Sequence, residues 1–375
     1  MSFPIDRKEG DKLFFHYISH YYDAEGPISG GEKYNFRLIK SIQRKGYPLA
    51  IWTDDRIPSV FKKGYLLYNL WYLFKLYQFK KGIVVIDDYM HPRLFLFLFF
   101  LKMFTPTKIV GTVHHLYWPI QTNSIKRWID KRVESFFISR FDLLIVPSRY
   151  TLSSVKEIVR KLPPAHVIHP AIDRRHIDVP YEKRQYARGQ QVKLIFVGAI
   201  QQRKGVIELI HALSKVTYSD IVLSLVGDKD QRPEYVAKVK DVIRDSNLNH
   251  RVHLCGRVSA EELYRLYHEA DIFVLPSFHE GYGIVVMEAM QFGLPAIVSN
   301  VAALPELVQN GVNGILVAPG DVEGIARAID ELSWSPGKRK KIGQANLKAA
   351  QEANSWEEVE GQFLMLIGDM LETES

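Results

Sequence analysis

Short apolar runs that read as strands alternate with helical stretches along the whole chain, and this alternation leaves few folds open. In the first half the strand runs are Leu13–Ser19, Leu49–Asp54, Ile83–Asp88, Lys108–His114, Leu143–Ser148 and Val167–Ile172. Helical stretches lie between them near 31–45, 65–79, 92–104, 123–139 and 149–161. The second half repeats the plan with strands at Lys193–Gly198, Ile221–Gly227, Val252–Gly256, Asp271–Pro276, Pro295–Ser299 and Gly314–Val317. Continuously apolar strands separated by helices indicate parallel sheets covered on both faces. A single core rarely grows beyond roughly 250–300 residues, so two such series in 375 residues predict an α/β chain of two Rossmann-like, doubly wound domains. The seam is expected after Asp173, where Arg174–Gln191 is polar and lacks a period, giving domains 1–173 and 174–354. The segment 355–375 has a helical apolar period with Ser355 at its start, and is expected to return to the first domain with Trp356 as anchor. Open parallel sheets bind ligands beyond the carboxyl ends of their strands. The loops after strands, facing a cleft between two such domains, are therefore where chemistry is sought.

Cys255 is the only cysteine, which excludes an intrachain disulfide and suits a reducing compartment. The opening MSFPIDRKEGDKL has no apolar signal core, and the longest apolar run, Leu94–Leu101, ends at Lys102. A spanning helix needs about 20 apolar residues, so a cytoplasmic location is expected. The net charge of +7 is uneven. Residues 1–170 carry 26 basic and 14 acidic side chains, the remainder 23 and 28. The basic excess thus belongs to the first half and points it toward something anionic.

The stretch HEGYGIVVMEAMQFGLP, His279–Pro295, places Glu280 and Glu288 on either side of seven residues. It follows a strand, turns on Gly281 and Gly283, and continues as an apolar helix from Ile284, stopped by Gly293 and Pro295. A helix start offers unpaired amides and partial positive charge, and glycine lets a ligand approach them, which makes an anion site. Helical side chains lean toward the N-terminus, so Glu288 reaches back toward such a ligand. A neutral diol suits it better than phosphate. An acid buried here without a partner would cost several kcal/mol, which argues against Glu288 as idle surface.

These residues resemble the two-glutamate signature of retaining GT-B glycosyltransferases, specifically glycosyltransferase family 4, the glycosyl transferases group 1. The resemblance covers nearly the whole chain: SGGEK, GTVHH and DLLIVPS in the first half, then FVGAIQQRKG, and VHLCGRVSAEELYRLYHEADIFVLPS leading into the glutamate segment. It implies a nucleoside-diphosphate sugar as donor, no further cofactor and no bound metal. Lys204 matches the lysine that serves the donor diphosphate. The arginine expected beside it is replaced by Ala199, and Arg203 is offered as its substitute. Gly198, Gly281, Tyr282, Gly283 and Ile284 fall in the donor-binding backbone. Glu288 would hold the ribose and Glu280 the sugar. Gly30 and Gly31 would let the first domain's backbone approach the phosphates, and His114 would contact the donor sugar near the reacting carbon. His115 stands where an acid is frequent. Arg257 and Val258 align beside the nucleotide base, where Arg257 either stacks or is plain surface. Ala302 and Ala303, before Pro305 and Glu306, stand where glycines are common.

Other patterns are set aside or left open. GPISGGEK nearly imitates a Walker A loop, but Glu32 occupies the lysine position. Asp228-Lys229-Asp230 fits a DxD motif but follows a strand as loop acids do, and no cluster has convincing metal spacing. Phe61–Lys81 holds five lysines, many aromatics and no acid. It reads either as a core helix with a solvated basic end or as a contact with an anionic membrane surface. No nucleic-acid recognition module is found. The expectation is a metal-independent hexosyltransferase, with a first domain that takes a hydroxyl acceptor: a glycan, a lipid-linked sugar or a small molecule. It is expected in the cytoplasm, with peripheral attachment to the inner face of a membrane as an option. The alternatives are a non-catalytic, membrane-associated nucleotide-sugar-binding partner, a GT-B sugar-nucleotide epimerase, or a phosphorylase.

Overall fold

The computed structural model describes residues 13–20, 30–80, 82–87, 94–119, 121, 123–173 and 189–372. They form two compact units, Met1–Pro170 with Trp356–Ser375, and Ala171–Ser355. The division thus lies three residues before the position read from the sequence. Residues 21–29, which include the start of GPISGGEK, and 174–188 of the polar linker lie outside the described residues.

The first unit runs β1 (Phe15–Ile18), α1 (Gly30–Arg44), β2 (Leu49–Trp52), α2 (Tyr65–Phe74), β3 (Ile83–Asp87) and α3 (Phe95–Phe104). It continues with β4 (Lys108–Thr112), α4 (Ser124–Ile138), β5 (Leu143–Val146), α5 (Arg149–Ile158) and β6 (Ala165–Val167). The sheet is parallel throughout, in the order β2-β1-β3-β4-β5-β6. β1, β3 and β5 are buried at every position, as strands covered on both faces must be. Only the step from β1 to β2 runs against the direction of the others. Right-handed crossovers therefore put α1 on one face and α2 to α5 on the other. The packing agrees: α2 lies on α3, α3 on α4 and α4 on α5.

The second unit runs β7 (Val192–Val197), α6 (Val206–Lys215), β8 (Ile221–Val226), α7 (Pro233–Asp245), β9 (Val252–Gly256) and α8 (Ala260–Glu269). It continues with β10 (Ile272–Leu275), α9 (Ile284–Gln291), β11 (Ala296–Ser299), α10 (Leu304–Leu307) and β12 (Gly314–Val317), then α11 (Val322–Trp334) and α12 (Pro336–Glu352). Its strand order is β12-β11-β10-β7-β8-β9, again parallel. The order reverses between β7 and β10, and ligands of such sheets sit where the order reverses. The two units have separate apolar cores, one around Tyr72, Phe79, Phe97 and Phe137, the other around Phe196, Leu223, Phe273 and Ile297.

All twelve expected strands are present. The last strand of the first unit, expected at Val167–Ile172, lies earlier, at Ala165–Val167 on β5. It is a short edge strand, and Pro170 has no N–H with which to extend the ladder. The helix expected over 65–79 ends at Phe74, and a 3₁₀ turn, Leu76–Phe79, turns Phe79 fully into the core. No helix among the described residues is long and apolar enough to cross a membrane.

The last helix, α13 (Trp356–Glu372), packs on α1 within the first unit. Trp356 is 3% exposed. Its ring lies 6.4 Å from that of Tyr34, with the Arg37 guanidinium 5.5 Å away over it. Arg44 and Glu360 form an ion pair along the same contact. Replacing a buried tryptophan by alanine removes contacts and leaves a cavity, at a cost of roughly 3–5 kcal/mol. Trp356→Ala is therefore expected to lower the denaturant midpoint of the first unit, read by the fluorescence of its remaining tryptophans, with no shift for Trp334 of the second unit.

Candidate functional site

The second unit brings two loops together at the reversal of its sheet. After β7 the chain passes Gly198 and a 3₁₀ turn, Gln202–Lys204, before α6. After β10 it passes Ser277–Gly283 before α9. The turn is forced by Gly205, at φ +67°, where a β-carbon would stand 2.1 Å from the Pro276 carbonyl oxygen. Only glycine lets these two loops lie so close.

Their contact is a cluster of charge, a buried ion pair with a half-buried arginine beside it. The Lys204 ammonium donates to Glu280 Oε1, and Ser277 Oγ donates to the same oxygen at 2.8 Å. Arg203 lies 3.7 Å from Glu280 Oε2 and donates to the His279 carbonyl at 3.0 Å. Lys204 and Glu280 are 8% and 6% exposed. Burial alone would raise the Glu280 pKa, but Lys204 and then Arg203 outweigh it and hold the carboxyl at about 2. Burial lowers the pKa of Lys204, and Glu280 opposes that. His279 is also lowered, first by burial and then by the Arg203 charge. The cluster holds two cations and one carboxylate, a net positive charge at the reversal of the sheet.

α9 starts beside this cluster. Gly283 caps it at φ +98°, where a β-carbon would meet Leu304 at 2.8 Å. Gly293 closes it at φ +64°: Gly293 N–H donates to Met290 O and Leu294 N–H to Ala289 O, a Schellman end. Tyr282 and Ile284 are buried, and the Tyr282 hydroxyl is raised by burial and then by Glu306. Glu288, half-buried, accepts from the Tyr267 hydroxyl at 3.4 Å. Tyr267 on α8 is fully buried and stacks on Phe292 at 5.3 Å. The two glutamates thus occupy different settings, one among cations and one beside a phenol. Ala302 adopts φ +49°, a conformation that glycine takes without cost, which agrees with the glycine expected there.

Three neighbouring strands end in glycine at one edge. Gly198, Gly227 and Gly256 follow or close β7, β8 and β9 with φ of +156°, +143° and +74°. Gly227 N–H donates to Gly256 O, and Gly198 N–H to Val226 O. A β-carbon at Gly227 would meet the Gly198 carbonyl oxygen at 2.0 Å. The result is a ledge of bare backbone. Arg257, beside it, reaches Asp228 Oδ2 at 2.5 Å, and Asp228 Oδ1 accepts from the amides of Asp230 and Gln231. The first acid of the DxD pattern is thus spent on its own turn and on Arg257. Val258 packs at the edge of the core.

Gly30, Gly31 and His114 belong to the first unit, at the reversal between β1 and β3. His114 is 7% exposed, and its ring lies against Gly31, where a β-carbon would make an ordinary contact with it at 3.4 Å. His114 Nε2 lies 3.0 Å from Asn35 Oδ1, and Asn35 Nδ2 donates to Asp87 Oδ2 at 2.9 Å. Ser19 Oγ donates to the same Asp87 oxygen at 3.0 Å. Because the Asn35 amide nitrogen is turned to Asp87, its oxygen can only accept, so the proton sits on His114 Nε2. Burial lowers the His114 pKa, with Asp87 opposing, and keeps the ring neutral near pH 7. Asp87, Asn35, Ser277 and Tyr267 are the site residues that sequence reading missed. Asp87 alone left a signal, as an acid ending an apolar strand.

Breaking a buried ion pair by removing one partner costs roughly 3–5 kcal/mol. Lys204→Met and Glu280→Gln are each expected to destabilise the second unit by about that much, and the double variant by less than their sum, in a double-mutant cycle of denaturant unfolding. The folded Glu280 carboxyl titrates below its ordinary 4.5. It therefore contributes stability that is complete above about pH 4.5 and lost as pH falls toward about 2. The melting-temperature gap between wild type and Glu280→Gln should shrink on acidification across that window.

Two family models match the chain in tandem: Glycosyltransferase Family 4 over residues 28–176 and Glycosyl transferases group 1 over residues 180–349. An uncharacterized glycosyltransferase of Methanocaldococcus jannaschii is 34% identical over 167 residues, 44% of this chain and 42% of that protein. Glycogen synthase of Mycobacterium tuberculosis is 28% identical over 274 residues, 69% of this chain and 62% of that protein. The chain thus spans less than two thirds of the length of either relative. Among solved structures, sucrose-phosphate synthase of Thermosynechococcus elongatus superposes with a TM-score of 0.82 at 20% identity, covering 96% of this chain and 100% of that one. Anabaena HepE, solved with UDP and glucose, superposes with a TM-score of 0.73 at 18% identity, covering 95% and 100%. These likenesses show the fold, GT-B, with its two parallel-sheet units. With both halves matched in order and the motifs in place, the chain belongs to glycosyltransferase family 4, the glycosyl transferases group 1.

Proposed function

We propose that this chain is a retaining glycosyltransferase that moves a hexose-type sugar from a nucleoside-diphosphate sugar to a hydroxyl of a glycan, a lipid-linked sugar or a small molecule. The observation that carries this reading is the buried Lys204–Glu280 pair, with half-buried Arg203 against it, beside the glycine-capped start of α9. Its net positive charge and the helix amides suit a diphosphate. The HepE structure, a complex with UDP and glucose, supports such a donor. The ledge of Gly198, Gly227 and Gly256 allows close approach of the nucleotide, with Arg257 and Val258 beside the base. Glu288, set by Tyr267, takes the ribose diol.

In the reaction the bond from the anomeric carbon to the diphosphate oxygen breaks, and a bond to the acceptor oxygen forms on the same face. The acceptor proton passes to the departing phosphate oxygen. Lys204, Arg203 and the α9 amides stabilise the charge that grows on that diphosphate, which is electrostatic catalysis. Glu280 serves the donor sugar. The first unit takes the acceptor, and His114 is its catalytic candidate, held neutral and oriented by Asn35 and Asp87. No step requires a metal, because side-chain cations and helix amides carry the diphosphate charge.

The reading is tested by melting temperature across nucleoside diphosphates and their sugars, since a ligand that binds only the native state raises it. At least one should raise it for the wild type and not for Lys204→Met. Turnover should persist in excess EDTA. Glu280→Ala should lower kcat by roughly 10²–10³-fold. Glu288→Ala should instead weaken nucleotide binding by about tenfold, the worth of a hydrogen bond or two. Negligible effects of both substitutions would defeat the assignment.

A further inference from the structure

The face of the first unit formed by α2, α3 and α4 carries apolar side chains on its outer side as well as its inner one. On α2 and the 3₁₀ turn after it, Leu66, Leu70, Phe74 and Tyr77 recur at helical spacing and are exposed, Phe74 by 76% and Tyr77 by 77%. Tyr68, Tyr72 and Phe79 fill the core from the opposite side of the same stretch. On α3, Phe99, Met103 and Phe104 are exposed while Phe97, Leu98 and Leu101 are buried. On α4, Ile125, Trp128, Ile129 and Phe136 form a third exposed stripe, Ile125 by 71%. Single exposed apolar residues are ordinary, but apolar stripes on three adjacent helices mark a surface meant to be covered.

The charge on these elements is predominantly basic, with Asp130 on α4 the one acid not buried among them. Residues 59–80 and 94–108 contain no acid. Lys62, Lys63, Lys75 and Lys80 stand on the first stretch, and Lys126, Arg127, Lys131 and Arg132 on α4. Of the two acids on α4, Glu134 is buried and accepts from the Tyr117 and Trp118 amides. Lys80 lies 4.4 Å over the Tyr77 ring and Arg132 5.5 Å over that of Trp128, so cations border the aromatic stripes.

We propose that this face docks on the surface of an anionic lipid bilayer. Aromatic and aliphatic side chains enter the headgroup boundary, and lysines and arginines, with apolar stems and charged ends, meet the lipid phosphates. Each basic group near such a surface strengthens the attraction, and salt weakens it. The inference stands apart from the donor reading, because docking is measured with neither nucleotide nor acceptor present.

The test is co-sedimentation of the full chain with phosphatidylcholine vesicles, with or without phosphatidylglycerol. Binding is expected to the anionic vesicles, weaker to the zwitterionic ones, and reduced by added salt. The exposed-position variant Phe74→Ser/Phe104→Ser/Trp128→Ser should bind roughly tenfold less or weaker still, with an unchanged melting temperature. Lys126→Glu/Arg132→Glu should lower binding to the anionic vesicles alone. The proposal is overturned if the wild type does not pellet with anionic vesicles, or if both variants pellet as the wild type does. It is also overturned if the wild type is a dimer by light scattering and the serine variant a monomer, which would assign the face to a second copy.

Discussion

Parallel pairing is the constraint from which the rest of the structure follows. Strands that all run one way deliver all the loops that follow them to a single edge, and a reversal of strand order leaves two such loops adjacent with no helix between them. In the second unit this makes neighbours of Lys204 and Glu280, 76 residues apart in the chain. In the first unit the same device brings Ser19, after β1, to Asp87, at the end of β3. Each sheet thus brings the polar groups described here together at its own reversal.

A buried ion pair is a poor way to hold a protein together. Taking both charges out of water costs several kcal/mol each, and apolar replacements of similar size are often neutral or better. Lys204 and Glu280 are supported by Ser277 and Arg203, which offsets part of that cost without removing it. Such an arrangement fits chemistry better than stability, because a fixed carboxylate and fixed cations need no reorganisation when charge appears beside them. Glu288 lies outside this regime. It is half-buried, close to a neutral phenol, and suited to accept hydrogen bonds where Glu280 is engaged by cations.

The fold was legible because buried parallel strands are written as continuous apolar runs, and those of β3 and β10 can be taken for nothing else. Legibility failed where geometry turns on a single group, as at β6, or where an apolar helix tightens after Phe74. At the site, the glycine turns and the helix start could be read locally, since φ above zero and unpaired amides are properties of short segments. The His114–Asn35–Asp87 chain and the seat of Glu288 on Tyr267 could not. Their members come from separate elements, and no spacing in the sequence announces that they meet. The exposed stripes of α2 to α4 were only half legible. The basic aromatic composition of Phe61–Lys81 was visible, but which side chains face outward depends on what the sheet covers.

The return of α13 to the first unit has a consequence in time. Everything from Ala171 to Ser355 is, in chain order, an insertion within that unit. The part of α1 that holds Trp356 and Glu360, with Tyr34, Arg37 and Arg44, is synthesised long before its cover. At ~5–20 residues per second the second unit occupies the ribosome for roughly 10–40 s. Throughout that interval the first unit is a nascent domain without α13. The order of synthesis therefore keeps the N-terminal unit from finishing its packing until the whole of the second has been made.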